Sequence, residues 1–163
     1  MNRWGYVRDS IRQMTKIRVL LVEDDPILRQ LLTEAIEQAH DMVLVGTYDS
    51  AVEMLRSHYP ISAARDTRVV DTVADIAVMD IWHSQRSALP VRIPDSTEIF
   101  TFMRQVGFKV QALFVSSVSK EYVQGACYSL DPRSWTYLDK SEIKSASVVL
   151  TRIREQLERV ADR

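Results

Sequence analysis

A single cysteine, Cys127, stands among 163 residues, so no intramolecular disulfide framework is possible and the chain suits a reducing compartment. An excess of either charge is also missing, since 21 basic residues against 22 acidic ones leave a net charge of −1. That excludes the electrostatic footprint of a nucleic-acid or anionic-membrane binder, and DNA binding by this chain alone is not expected. Long apolar runs are absent, and none approaches the roughly 20 residues needed to cross a bilayer. The amino terminus, Met1-Asn2-Arg3-Trp4, lacks the apolar core of a secretory signal, so the expected location is the cytoplasm. Histidine is scarce: His40, His58 and His83 do not fall at metal-ligand spacing and are expected at the surface or in loops. Internal repeats and low-complexity tracts are absent too.

What the chain does have is hydrophobic content of 46%, enough for one substantial core and one domain at this length. Helix and strand signals alternate, which argues for a parallel sheet with helices on both faces. Two short apolar runs, Ile17 to Val22 and Ile76 to Met79, end abruptly in acids, Glu23-Asp24-Asp25 and Asp80. Such runs read as buried strands that deliver carboxylates to one sheet edge, where α/β proteins bind ligands. Converging carboxylates repel unless a hard, oxygen-loving cation such as Mg²⁺ lies between them. A third run, Ala112 to Val115, ends in Ser116-Ser117, and a fourth, Trp135 to Leu138, is followed by Asp139-Lys140. Parallel packing of the four would gather acids, a hydroxyl and an ammonium at one end of the sheet. Those are the parts needed to phosphorylate a carboxylate.

Each residue alone supports an ordinary reading: a solvated turn for the acids, a strand end for Ser116, a core ring for Tyr137, a solvated Lys140. The combination favours a site. Asp24 is expected as a direct metal ligand, Glu23 as a ligand through water, and Asp25 as a helix cap. Asp80 is the expected nucleophile, because Asp75 begins its strand and lies at the wrong end, while Asp71 falls outside the strand.

The helices follow from spacing. Pro26 fits the first turn of a helix carrying Leu28, Leu31, Leu32, Ala35, Ile36 and Ala39 as its stripe. Met42 to Tyr48 is expected as a strand and Ser50 to Arg56 as a short helix capped by Asp49 or Ser50. Tyr59 to Thr72 is read as a loop. Asp95 or Ser96 caps a helix with Ile99, Phe102, Met103 and Val106 inward and Gly107 as a left-handed stop. Another helix is expected over about Lys120 to Leu130, with Tyr122, Val123, Ala126, Cys127 and Leu130 on one face, and a last one from near Ser141 to Ala161. Cys127 is expected to pack as a small apolar residue.

In this arrangement the chain resembles the receiver domain of bacterial two-component response regulators, the CheY-like family. The matching segments are VLLVEDDPILRQLL, DIAVMDI, ALFVSS and YLDK, in the family's order, over roughly Ile17 to Val160. The resemblance implies a flavodoxin-like (βα)5 three-layer sandwich with strand order 2-1-3-4-5. It divides the chain into an N-terminal extension, 1–16, and a receiver domain, 17–163. It also implies that Asp80 accepts a phosphoryl group from a sensor histidine kinase with Mg²⁺ bound by Glu23, Asp24, Asp80 and the backbone carbonyl of Trp82. Ser116 would be the switch hydroxyl, Tyr137 the switch aromatic and Lys140 the phosphate-binding lysine. The chain would signal, rather than turn over a substrate as an enzyme, by rearranging the face of the fourth helix, fifth strand and fifth helix. Through that face it would form a homodimer and control an output, transcription above all, by a separate effector.

Departures motivate alternatives. The chain reads Ile81-Trp82-His83-Ser84-Gln85-Arg86 after the acceptor, where the family runs through a Met-Pro or similar turn and then a Gly. Two segments, Tyr59 to Thr72 and Ser84 to Pro94, exceed the family norm. A pseudo-receiver that binds protein without being phosphorylated is the first alternative. A metal-dependent phosphatase ranks low, because such enzymes place a second Asp where Trp82 stands. The side chain of Trp82 fits either a shield over the phosphoryl group or a cover for its loop. In the extension, Trp4, Val7, Ile11 and Met14 fall at helical spacing, compatible with a short amphipathic helix or a fraying end.

Overall fold

The computed structural model describes residues 16–59, 73–81 and 93–161. The expectations for the extension, for the Tyr59 to Thr72 loop beyond Tyr59, and for Trp82 and His83 lie outside the described residues. Five strands form one parallel sheet in the order β2-β1-β3-β4-β5, where β1 is Ile17–Val22, β2 Met42–Tyr48, β3 Ile76–Met79, β4 Gln111–Ser116 and β5 Trp135–Asp139. The helices between and after them are α1 (Pro26–Gln38), α2 (Ala51–His58), α3 (Ser96–Gln105), α4 (Lys120–Ala126) and α5 (Ala146–Ala161). This is the expected three-layer α/β architecture and strand order.

The alternation of strand side chains sorts the core into two layers. Leu20, Val22, Ala77, Met79, Ala112 and Phe114 face one side, where they pack with residues of α2, α3 and α4. Val19, Leu21, Ile76, Val78, Leu113 and Val115 face the other, against α1 and α5. Because β1, β3 and β4 are covered on both faces, their sequences are unbroken apolar runs rather than alternating ones. Full burial of each large side chain contributes about 1.5–3 kcal/mol, so these central strands dominate the stability of the sheet. The stiffest part of the fold therefore ends at Glu23, Asp80 and Ser116.

Local chemistry sets the helix starts. Asp25 caps α1 by accepting from the backbone N–H groups of Ile27 and Leu28, and Pro26 fills the position that has no N–H to satisfy. Ser50 caps α2, and Asp95 with Glu98 forms a reciprocal capping box on α3. Gly107 takes the expected left-handed conformation, with φ of 101°.

Several sequence expectations need correction, beginning with Leu31, expected in the stripe of α1 but exposed. In α3 the buried side is Ser96, Thr97, Ile99, Phe100 and Met103, while Phe102 is exposed; Phe100, not Phe102, stacks edge-on against Phe114 of β4. Helix α4 stops at Ala126 rather than Leu130: Gly125 weakens it, and Leu130 N–H turns back to the Cys127 carbonyl at 3.0 Å in a tighter turn. Tyr122, expected on its inward face, is instead partly exposed. Helix α5 starts at Ala146, because Lys140–Glu142 form a separate 3₁₀ turn capped by Asp139. That turn has a use at the sheet edge. Cys127 is buried as expected, and its apolar surroundings push the thiol up to about 11.

Candidate functional site

Glu23, Asp24 and Asp80 converge at the carboxyl end of the sheet. Each offers an oxygen within 4.8 Å of the others, a spacing one cation spans. The strands explain the convergence: β1 and β3 pair in register, with Val22 beside Met79, so the residues following them emerge side by side. The Asp80 N–H bonds to the Val22 carbonyl at 2.8 Å and extends that pairing past the strand end.

Lys140 reaches the same point from β5. Its ammonium lies 3.0 Å from Glu23 and 2.9 Å from Asp80. The 3₁₀ turn holds it there: Asp139 accepts from Ser141 N–H at 2.8 Å, and Glu142 reciprocates on Asp139 N–H at 3.3 Å. Had α5 begun at Ser141, the chain would have left the sheet edge without this tight turn.

The electrostatics are unbalanced. Burial and the charge of Asp80 push Glu23 up to about 7 against the opposing pull of Lys140. Asp80 is also raised by burial, opposed by Lys140 and reinforced by its contact with Asp24. Burial works against the charge on Lys140, yet its bonds to Asp80 and Glu23 outweigh this and keep it firmly protonated. Glu23 and Asp80 thus share one ammonium beside a third acid, Asp24, in a site where Glu23 is 1% exposed. All the donors are hard oxygens, the set that fits Mg²⁺. The backbone carbonyl of Trp82 lies outside the described residues.

Ser116 and Tyr137 occupy adjacent strands. The Ser116 hydroxyl donates to the Ile81 carbonyl at 3.5 Å and accepts from Val118 N–H at 3.2 Å, joining β4 to the chain just past Asp80. The Tyr137 hydroxyl donates to the Val118 carbonyl at 2.6 Å and lies 3.3 Å from that of Ser116. Both therefore hold the turn between β4 and α4. All the named side chains except the undescribed Trp82 gather at this one edge, and Asp25 caps α1.

Some features were not foreseen in the sequence. Arg29 donates to the Glu23 carbonyl at 2.8 Å, and Ser96, the first residue of α3, donates its hydroxyl to the Asp80 carbonyl. The Asp95-to-Glu98 spacing marks the start of α3, but nothing in it shows that Asp80 lies beside that start. A cleft of about 540 Å³ opens beside Asp24 and Asp80 and runs between the starts of α2 and α3 as far as Arg56.

No protein-family model matches the chain, and no curated protein does. Solved structures match well. A DNA-binding response regulator of the LuxR family from Staphylococcus aureus superposes with a TM-score of 0.61 at 13% identity, covering 86% of this chain and 98% of that one. The response regulator domain of Thermotoga maritima CheB gives 0.60 at 19% identity, covering 88% and 97%. A two-component response regulator of the LuxR family from Aurantimonas gives 0.61 at 22% identity, covering 88% and 86%. The class is thus set by fold: this chain has the flavodoxin-like fold of response regulator receiver domains. Among the described residues no helix is long and apolar enough to cross a membrane.

Proposed function

We propose that the chain is a phospho-accepting receiver domain, formed by 17–163, that takes a phosphoryl group from a sensor histidine kinase onto Asp80. The observation that carries this reading is the salt-bridged cluster itself, in which Lys140 contacts both Glu23 and Asp80 beside a third acid, Asp24. Glu23, Asp24 and Asp80 would hold Mg²⁺, with the carbonyl of Trp82 completing the set. When bound, the ion would neutralise phosphoryl oxygens and hold them in line with the acceptor.

The chain's own groups do the rest. A carboxylate oxygen of Asp80 attacks phosphorus, the bond from phosphorus to the donor nitrogen breaks, and an acyl phosphate forms. Lys140 shifts from its two carboxylates toward the new phosphoryl oxygens. Ser116 supplies a hydroxyl, which requires giving up its long bond to the Ile81 carbonyl. Tyr137 shares the β4 to α4 turn with Ser116, so it is placed to follow that movement and change the α4, β5 and α5 face. Water then resets the site by hydrolysis.

Two copies would pair through that face, and an effector acting on transcription would read it, in the cytoplasm. The test is intact-mass analysis after incubation with acetyl phosphate and Mg²⁺. One phosphoryl adduct that disappears in Asp80→Ala and without metal supports the reading. No adduct, together with no Mg²⁺ binding, would instead favour the pseudo-receiver, a protein-binding module with an inert site.

A further inference from the structure

Ser96 and Tyr122 have no part in the reading above, yet both lie on a chain of hydrogen bonds leading from Asp80. The Ser96 hydroxyl donates to the Asp80 carbonyl, and the Asp80 N–H is fixed on Val22 at 2.8 Å, so the main chain of the acceptor is held from both sides. Next to Ser96, Asp95 uses both carboxylate oxygens. Oδ1 accepts from the N–H groups of Thr97 and Glu98 at 2.9 and 3.0 Å and from the Thr97 hydroxyl at 2.5 Å. Oδ2 accepts from the Tyr122 hydroxyl, also at 2.5 Å, and Tyr122 belongs to α4.

Helix capping accounts for the bonds to Thr97 and Glu98 only. A capping aspartate needs no donor from a second helix, and the first residue of a helix needs no hydroxyl aimed at another element. Both extra bonds are partly buried, with Asp95 8% and Ser96 4% exposed at their inner ends. Their common effect is mechanical. Anchoring the Asp80 carbonyl fixes the backbone rotation that aims its carboxylate past Lys140, and in-line attack tolerates little misplacement.

We propose that Ser96 is a positioning residue for the acceptor carboxylate, and that Tyr122, acting through Asp95, couples this positioning to the placement of α4. The inference rests on Asp80 being the phospho-acceptor. It adds a second link between the site and α4, separate from the one through Ser116 and Tyr137.

The test follows phosphorylation of the full chain by phosphoramidate at saturating Mg²⁺, over a range of donor concentration. Ser96→Ala is expected to lower the maximal rate about tenfold, the worth of one hydrogen bond. The donor concentration at half-maximal rate, and the Mg²⁺ dissociation constant by calorimetry, should each stay within about twofold of wild type. Tyr122→Phe should cost about threefold, and the double variant should be no slower than Ser96→Ala alone, because both act through one anchor. A Ser96→Ala rate equal to wild type overturns the inference, and so does a rate loss matched by an equal loss of Mg²⁺ affinity, the mark of a loosened fold. Additive effects would overturn the coupling. If Ser96→Ala fails to fold, Tyr122→Phe decides alone, since it removes one hydroxyl from a partly exposed ring; an unchanged rate then counts against the proposal. A wild-type chain that takes no phosphoryl group sinks the acceptor reading instead, a result distinct from all of these.

Discussion

The two ends of the sheet handle charge in opposite ways. At the amino ends of the strands two acids each have their own guanidinium: Arg18 holds Asp75 through its backbone and side chain at 2.8 Å, and Arg154 grips Asp41 at 2.7 and 2.9 Å. Arg154 draws Asp41 down to about 2, and the bonds from Arg18 lower Asp75 despite its burial. At the carboxyl ends Glu23 and Asp80 compete for Lys140 beside a third acid, Asp24, and both Glu23 and Asp80 are raised. Balanced pairs need nothing further. The unbalanced cluster stores a deficit of positive charge that a divalent cation and a phosphoryl group can exploit, at the expense of the stability of the empty fold.

The largest expected effect comes from removing the cation that pairs with the carboxylates at the crowded end. Lys140→Ala should slow formation of the acyl phosphate on Asp80 by about 10²–10³-fold, the usual loss when one charge-stabilising group is deleted from a reacting centre. Intact-mass time courses with acetyl phosphate measure it. A loss smaller than about tenfold would mean that Lys140 serves the fold, as the arginines do at the other end.

A neutral substitution should have opposite signs at the two ends. Glu23 is raised from its ordinary 4.5 to about 7, so the folded state disfavours its charge, and this cost grows as pH climbs through that window and is complete above it. Glu23→Gln should therefore stabilise the metal-free protein by about 1–2 kcal/mol at pH 8 and by almost nothing at pH 4, measured by urea unfolding. Asp75→Asn should destabilise it, because it removes the carboxylate charge that Arg18 grips. Stabilisation by both substitutions would erase the distinction between the ends.

The same group sets the pH dependence of metal binding. Below about 7 Glu23 holds a proton that the cation must displace, so Mg²⁺ affinity should fall with falling pH and binding should release a proton. Calorimetry in two buffers of different ionisation enthalpy measures the release. In Glu23→Gln the release and most of the pH dependence should vanish, with weaker binding throughout.

Much of this contrast was legible in the sequence, though not evenly. The carboxyl end announced itself because buried strands are continuous apolar runs, and an acid directly after one has few places to go. β2 and β3 match their expected ranges residue for residue, and the site side chains of the described residues do converge. The amino end was not legible: nothing near Arg18 foretells Asp75, and Asp41 finds Arg154 across 113 residues. The second pair depends on how α5 lies across the sheet, which periodicity does not encode, and the first on the side-by-side pairing of β1 and β3. The same applies to Ser96 and Tyr122, whose hydroxyls matter only because α3 and α4 start close together. Helix ends failed for a local reason, in that Gly125 and the Asp139 to Glu142 capping box overrode the apolar spacing on which the expected limits of α4 and α5 relied.

The smallest effect is expected at the Asp41 and Arg154 pair. Its geometry is bidentate, but Arg154 is 37% exposed, so solvent screens the attraction and Asp41→Asn should cost less than about 1 kcal/mol at pH 7. The sign follows from the depressed carboxyl. Its contribution is fully present above the ordinary 3.8 and is lost as pH falls toward about 2. Unfolding midpoints of the variant and wild type should thus differ slightly at pH 7 and draw together on acidification through that window, whereas Glu23→Gln and wild type converge on acidification from the opposite side, with the variant the more stable of the two. A difference for Asp41→Asn that persists unchanged at pH 2 would mean that Asp41 acts through its bond geometry rather than its charge, and would weaken the argument that the amino end is held by balanced pairs.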